Sequence, residues 1–170
     1  MKKIAKGIIT ILGLGFILNF TSEISDNNVI KKNGMKVTWK YKNDRIHFTM
    51  SAPTKGWVAI GFNSQSGTKG TYLIMGKVEN KKSTVTEYYT LSPGNYKPIN
   101  VLGDSIEVKD VSGSEKKKFT QLKFSLPISS LSKYKRDLSK GKSYYLLLAF
   151  SESDDFEHHS RMRTEMKINL

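Results

Sequence analysis

From residue 35 onward, apolar and polar side chains alternate one by one, which is the pattern of a β-strand with one buried face and one hydrated face. Residues 35–41 carry an apolar side chain at every odd position, and residues 45–50 carry one at every even position. Asn43 and Asp44 lie between the two runs, and both residue types favour tight turns. Residues 35–50 therefore predict a β-hairpin with one wet face.

The remaining chain predicts more strands, most of them bounded by turn-forming residues. Their ranges are 56–62, 71–78, 83–91, 99–111, 119–126, 144–150 and 162–170. Residues 144–150 are apolar on both faces, which is typical of a central strand that is covered on each side. Only residues 128–138 have a pattern compatible with a short helix. The sequence predicts an all-β fold, an immunoglobulin-like β-sandwich of about nine to eleven strands with one short helix possible.

The first residues have the composition of an export leader. Lys2, Lys3 and Lys6 precede an apolar run over residues 7–20, which is shorter than the roughly twenty residues that a spanning helix needs. We interpret residues 1–22 as a signal peptide or N-terminal anchor, residues 23–34 as a polar tether and residues 35–170 as the domain. The protein is therefore expected to be exported, to the periplasm, the medium or the cell surface. It would meet a membrane only through an uncleaved leader.

Charge and composition exclude several classes of function. The chain has no cysteine, so disulfides and thiolate metal sites are impossible. The formal net charge of +13 raises nucleic acid as a partner, but most lysines are scattered along wet strand faces. We therefore expect no nucleic-acid partner. No Gly-x-Ser-x-Gly elbow or phosphate-binding loop occurs, so the sequence does not predict an enzyme.

The three histidines are the main candidates for site chemistry. His47 falls on the polar side of its strand and is expected to face solvent. His158 and His159 are adjacent in an acidic loop just before the final strand, and loops at the ends of a sandwich often carry binding sites. An ordinary solvated loop with two histidines is the alternative interpretation.

Several motifs resemble the DOMON family, which includes haem-b cytochrome domains and sugar-binding domains. Residues 55–63, Lys-Gly-Trp-Val-Ala-Ile-Gly-Phe-Asn, resemble its signature, and a Gly-rich loop and a strand ending at Gly76 follow. Residues 110–127 resemble its middle segment. His159, Arg163 and the final Lys-Ile-Asn-Leu resemble its closing pattern. The resemblance covers residues 35–170.

The resemblance implies a sandwich that binds haem b or a sugar. In haem-binding members a Met from the Gly-rich loop and a His near the C-terminus are the axial ligands, and the His corresponds to His159, with His158 as its neighbour. The Met would fall at residue 68 or 69, and neither residue is a methionine. Met75 lies deeper in the strand and would serve as the ligand only after a register shift, and otherwise packs as core. Trp57 completes the predicted cofactor-binding set.

Two functions follow from these expectations. The first is an exported module that binds haem b, with His159 as the ligand to the metal, for electron transfer or haem sensing. The alternative is a metal-free carbohydrate-binding or protein-interaction module, with Tyr72 and Tyr96 near loops as the residues that contact a sugar. The expected partners are a small-molecule ligand, haem or sugar, or a redox partner protein.

Overall fold

A computed structural model describes residues 28–170 and arranges them as eleven β-strands in two antiparallel sheets. The strands are β1 (Asn28–Lys32), β2 (Met35–Lys42), β3 (Arg45–Ala52), β4 (Val58–Asn63), β5 (Tyr72–Glu79), β6 (Lys82–Ser92), β7 (Asn95–Pro98), β8 (Lys109–Lys116), β9 (Phe119–Pro127), β10 (Ser143–Phe150) and β11 (Met162–Asn169). One sheet has the order β1-β2-β3-β9-β8 and the other β11-β10-β4-β5-β6-β7. The predicted all-β sandwich is confirmed. The predicted leader, residues 1–22, lies outside the described residues.

The β2–β3 hairpin follows the alternation in the sequence. Trp39 pairs with Phe48 and both are buried, whereas the next pair, Lys40 with His47, lies on the opposite and wetter face. Asn43 at the turn has a φ of 55°, a left-handed conformation that Asn adopts more readily than most residues. The alternation of side chains along each strand therefore determines which residues of this hairpin enter the core.

The inner faces of the two sheets enclose the main apolar core. Phe48 stacks on Phe124 within the five-stranded sheet, with ring centroids 5.6 Å apart, and reaches Phe62 of the other sheet at the same distance. Phe62 in turn contacts the edge of Tyr144. These aromatic contacts join both sheets into a single packed interior.

A buried charged network ties two loops to the six-stranded sheet. The Lys135 side chain is 2% exposed and lies 3.7 Å from the Glu87 carboxylate, which is fully buried. Lys135 also forms an ion pair with Glu107 and donates a hydrogen bond to the Ser105 carbonyl at 2.8 Å. The Glu107 N–H donates to Glu87 Oε1 at 2.8 Å. Desolvation by burial raises the pKa of the Glu87 carboxyl, and the charge of Lys135 acts against that shift.

Three regions differ from the sequence-based expectation. Residues 99–108 form turns and loop rather than a strand, because Glu87 and Lys135 hold this segment through its backbone; the strand begins only at β8. The short helix allowed for residues 128–138 is wrong, and residues 28–170 contain no helix, so none there could cross a membrane. The hydroxyls of Ser130 and Ser132 accept backbone N–H bonds that a helix would use otherwise.

The start of the domain also differs in part. The sequence predicts a polar tether over residues 23–34, but Asn28–Lys32 form β1 and pair along their whole length with β2. The pairing explains why Ile30, an apolar residue in a polar stretch, is buried in the core.

Candidate functional site

A second apolar cluster lies on the outer face of the six-stranded sheet, away from the main core. Trp57 precedes β4, and the other buried members project from four neighbouring strands. The cluster contains Trp57, Ala59, Leu73, Met75, Tyr88, Leu147 and Ala149, with Tyr96 and Phe156 packed at its border. An apolar face on the outside of a sandwich needs a cover or a ligand, and here it has a partial cover.

Small residues in register make a depression in this face. Ala149 pairs with Ala59, which pairs with Met75, so two methyl groups lie side by side in the middle of the sheet. Leu147 and Leu73 flank Gly61 in the neighbouring row. The floor is low where the side chains are small and rises toward the larger residues around it.

The loop of residues 151–160 forms one wall. Backbone hydrogen bonds in both directions join it to Trp57: Trp57 N donates to Ser153 O, and Ser151 N donates to Trp57 O, both at 3.0 Å. Gly56 is required beside this junction, since a Cβ there would lie 2.5 Å from the backbone of Ser153. The Tyr96 hydroxyl donates to the carbonyl of Phe156 and holds the middle of the loop over the sheet.

This wall brings the two neighbouring histidines to the rim of the pocket. The Ser151 hydroxyl donates to the His159 carbonyl at 3.0 Å, and the His158 N–H donates to the Asp155 carbonyl at 3.1 Å. Both histidines line the pocket and are exposed. Arg163 of β11 stands beside them, because it pairs with Ala149 of the floor.

The pocket has an apolar floor and a polar rim. Its cavity volume is about 160 Å³, and its mouth is open to solvent. The rim carries Glu157, His158, His159, Ser160, Arg163, Thr68 and Thr90. The Trp57 Nε1 is buried and has no hydrogen-bond partner among the described residues. Burial and the nearby Glu157 and Asp155 charges raise the pKa of Tyr96, so its hydroxyl remains a donor at neutral pH.

The structure brings together five of the six residues predicted for the site. His159, His158, Met75, Trp57 and Tyr96 all line this one pocket. Tyr72, which the sequence analysis gave as a residue that contacts a sugar, does not line it. It is 1% exposed on the inner face of β5, where burial raises the pKa of its hydroxyl well above the ordinary range.

The Gly-rich loop of residues 64–70 closes a second side of the pocket. Thr68, at the position where a family methionine was expected, lines the pocket, whereas Lys69 is exposed. The Asn63 side-chain amide donates to the carbonyls of Gly67 and Lys69 at 2.8 and 2.9 Å. The Glu165 carboxylate accepts bonds from the Ser66 hydroxyl and from the Gly67 N–H, the latter at 3.0 Å.

Sequence reasoning missed the residues that shape the pocket. One feature of the sequence could have identified Ala59, Leu147 and Ala149. Their strands are apolar on both faces, and a second apolar face needs a cover. Glu157 had no signal beyond its acidic loop. Nothing in the sequence indicated that Glu165 holds the loop 64–70, because that role depends on a contact between residues about a hundred positions apart.

Comparisons with known proteins agree with this architecture. The family model for the DOMON domain matches residues 31–151, which ends before the two rim histidines. The cytochrome b domain of pyranose dehydrogenase from Coprinopsis cinerea aligns over 84% of this chain and 81% of that chain, with 7% identity and a TM-score of 0.59. The cytochrome domain of Myriococcum thermophilum cellobiose dehydrogenase aligns over 80% of this chain and 74% of that chain, with 10% identity and a TM-score of 0.56.

At such identities the two solved structures establish a shared fold. The family match covers well over half of the 170 residues and includes the segment from β2 to β10. The chain belongs to the DOMON domain family.

Proposed function

We propose that this domain is a non-catalytic module that binds haem b in the pocket on its outer sheet face and serves electron transfer or haem sensing. One observation carries the proposal. Two histidines, His158 and His159, lie at the rim of an apolar pocket whose floor contains a buried methionine, Met75. Imidazole and thioether are both axial ligands of haem iron.

The donor set suits a metal macrocycle better than a bare ion. Within residues 28–170 no group of three or more His, Asp or Glu side chains is placed to hold a metal ion. A porphyrin brings four nitrogen ligands of its own, so its iron needs only one or two from the protein. The apolar floor matches the ring, and Arg163 at the rim offers a cation to a haem carboxylate. The residues present therefore fit haem.

Each pocket residue has a definable part in holding the group. His159 would supply the axial nitrogen, and the bond from Ser151 to its carbonyl fixes the backbone from which the imidazole extends. Met75 and the two floor alanines would pack against the ring and exclude water. When bound, haem supplies one-electron iron chemistry, and the potential depends on the ligand, the burial and the nearby charges.

We also propose that the domain works outside the cytoplasm, with a redox protein as partner. The leader-like residues 1–22 support export. The exposed histidines and Arg163 at the pocket mouth support access by a second protein, since electron transfer needs the mouth to be approachable.

An absorption spectrum after haem reconstitution tests the proposal. The wild-type protein should bind haem with a Soret band, and His159→Ala should lose or shift that band. His47→Ala is the matched control, because it removes an imidazole from the opposite sheet, far from this pocket. Wild-type protein that stays colourless, or a His159→Ala spectrum equal to that of wild type, would reject haem coordination by His159.

A specific observation favours the second candidate, a metal-free carbohydrate-binding module. Thr68 lines the pocket where the family's haem-binding members are expected to carry methionine. Trp57 and Tyr96 supply flat faces, and the rim supplies hydrogen-bonding groups, which together suit a sugar. If the protein stays colourless, a glycan-binding screen should find a ligand whose binding Tyr96→Ala weakens. Absence of any glycan hit would leave a protein partner as the remaining class.

A further inference from the structure

The outer face of the five-stranded sheet is strongly basic and is independent of the pocket, which lies on the other sheet. Seven exposed lysines occupy this face; Lys116 lies at its end, and we refer to the other six as the lysine face. They are Lys31, Lys36, Lys40, Lys42, Lys109 and Lys123. Four of the five strands, β1, β2, β3 and β9, contain no Asp or Glu.

The strand register places like charges directly opposite each other. Lys31 pairs with Lys36 across β1 and β2, and Lys42 pairs with Arg45 across β2 and β3. Directly opposed like charges destabilise a sheet, because the Cβ atoms of such a pair are about 5 Å apart, less than the Debye length of about 8 Å in physiological salt. Within residues 28–170 no salt bridge joins any of the six lysines to a carboxylate. The Asp110 carboxylate interacts electrostatically with Lys109 and Arg45, so the repulsion left for an external anion to relieve is mainly that between Lys31 and Lys36.

A groove crosses the lysine face and adds hydrogen-bond donors to the charge. It is lined by Lys40, Lys123 and His47 together with the hydroxyl residues Thr38, Thr49 and Ser112. It forms where β8 departs from regular pairing between Lys109 and Ser112, with Asp110 at a φ of 54°. Asp110 also lines the groove; its carboxylate accepts a bond from the Ser125 hydroxyl at 2.6 Å and keeps its negative charge, which Lys40 and Lys123 of the groove outnumber.

The geometry points to a linear polyanion with phosphate groups in a row and no bases, and we propose that the lysine face binds one. Lys36 and Lys42 are six residues apart on β2, a span of about 20 Å along the strand. The width from β1 to β8 is about 19 Å at the usual strand spacing. Charges spread over such a patch contact several phosphates of one chain, whereas a single phosphate would meet only one or two lysines.

Other anions fit the face less well. Single-stranded nucleic acid is usually bound with successive aromatic side chains that stack on bases. Trp39 and Phe48 are buried and Tyr41 packs against the core, so the exposed ring of Phe119 at the end of β9 has no aromatic neighbour from β2 or β3 on this face. A sheet twists by roughly 20° per strand, so all six lysines cannot rest together on a planar membrane. A flexible polymer can follow that twist.

Two triple variants of equal charge test the proposal with full-length protein and long-chain inorganic polyphosphate. The first, Lys36→Gln/Lys40→Gln/Lys123→Gln, removes three charges from the lysine face. The second, Lys82→Gln/Lys97→Gln/Lys167→Gln, removes three exposed lysines from the other sheet and leaves the same net charge. Fluorescence anisotropy at several salt concentrations gives the affinity and its salt slope. All six positions are exposed, so thermal unfolding should show that both variants are folded, with the first no less stable than wild type because it loses the opposed pair Lys31–Lys36.

We expect wild-type protein and the second variant to bind polyphosphate alike. The first variant should bind at least tenfold more weakly, with a salt slope lower by about 2, since each single-strand phosphate contact contributes about 0.7. Equal weakening of both variants would overturn the proposal, because it would show attraction by net charge alone. Three other results would also overturn it. They are no binding in physiological salt, tighter binding to single-stranded DNA than to polyphosphate, and equal competition by orthophosphate at matched charge.

Discussion

Removal of the buried ammonium group of Lys135 should destabilise the protein in a strongly pH-dependent way. In Lys135→Met the fully buried Glu87 carboxylate loses the cation 3.7 Å away, while most of the side-chain volume of residue 135 remains. Breaking a buried ion pair by removing one partner costs about 3–5 kcal/mol in unfolding free energy. That is a large fraction of the roughly 5–15 kcal/mol that stabilises a typical domain.

The electrostatic part of this loss in unfolding free energy cannot exceed the cost of protonating Glu87. Glu87 can avoid carrying a buried, unpaired charge by taking up a proton. From an unfolded pKa near 4.3, that protonation costs about 3.7 kcal/mol at pH 7 and about 1 kcal/mol at pH 5. Burial already raises the folded pKa of this carboxyl, and loss of Lys135 raises it further. A carboxyl with a raised folded pKa destabilises the fold above its unfolded pKa, and the penalty shrinks as the pH falls. The loss caused by Lys135→Met should therefore be up to about 2.7 kcal/mol smaller at pH 5 than at pH 7.

Urea unfolding of wild type and variant at both pH values measures the difference. Lys142→Met is the matched control, because it breaks the pair of Lys142 with Asp137, whose side chains are 53% and 43% exposed. Exposed pairs contribute about 0–1 kcal/mol, so this variant should stay close to wild type. A Lys135→Met loss below 1 kcal/mol, or a loss equal at pH 7 and pH 5, would refute the reasoning that a buried, charged Glu87 depends on Lys135.

The pocket gives three further predictions. Gly56→Ala places a methyl group against the backbone of Ser153 and should lower the unfolding free energy by about 1–3 kcal/mol, measured by urea unfolding. Ala59→Leu adds bulk to the pocket floor and should weaken haem binding at least tenfold in a spectroscopic titration, whereas unchanged affinity would mean that the ligand binds elsewhere. Hydrogen bonds to Ser66 and Gly67 lower the pKa of Glu165, so the restraint on loop 64–70 should hold at neutral pH and be lost as the pH falls through that lowered pKa. Glu165→Gln should mimic the low-pH state at pH 7, with faster hydrogen exchange of the Gly67 amide as the measurement.

The fold was predictable because alternation identifies the inward face wherever the two faces differ. Alternation could not predict which way Tyr72 points, because its strand carries apolar residues on both faces. It failed again for residues 99–108, whose side-chain pattern suits a strand but whose backbone is held by Glu87 and Lys135. Both errors arise from partners distant in sequence.

The sequence predicted most of the residues of the site but not the shape of the pocket. The paired histidines and Trp57 had motif signals, and the structure places both in one pocket. The depression between them depends on Ala59 and Ala149 lying side by side in the sheet, and only the strand order reveals this. Small residues carry no functional signal in a sequence until their neighbours are known.

The two apolar clusters share strands but not side chains, since successive residues of β4, β5 and β10 point to opposite faces. Substitutions at the outward positions can therefore remodel the pocket while the interior that determines folding stays intact. The ligand that the outer face accepts can therefore change without repacking the residues between the two sheets.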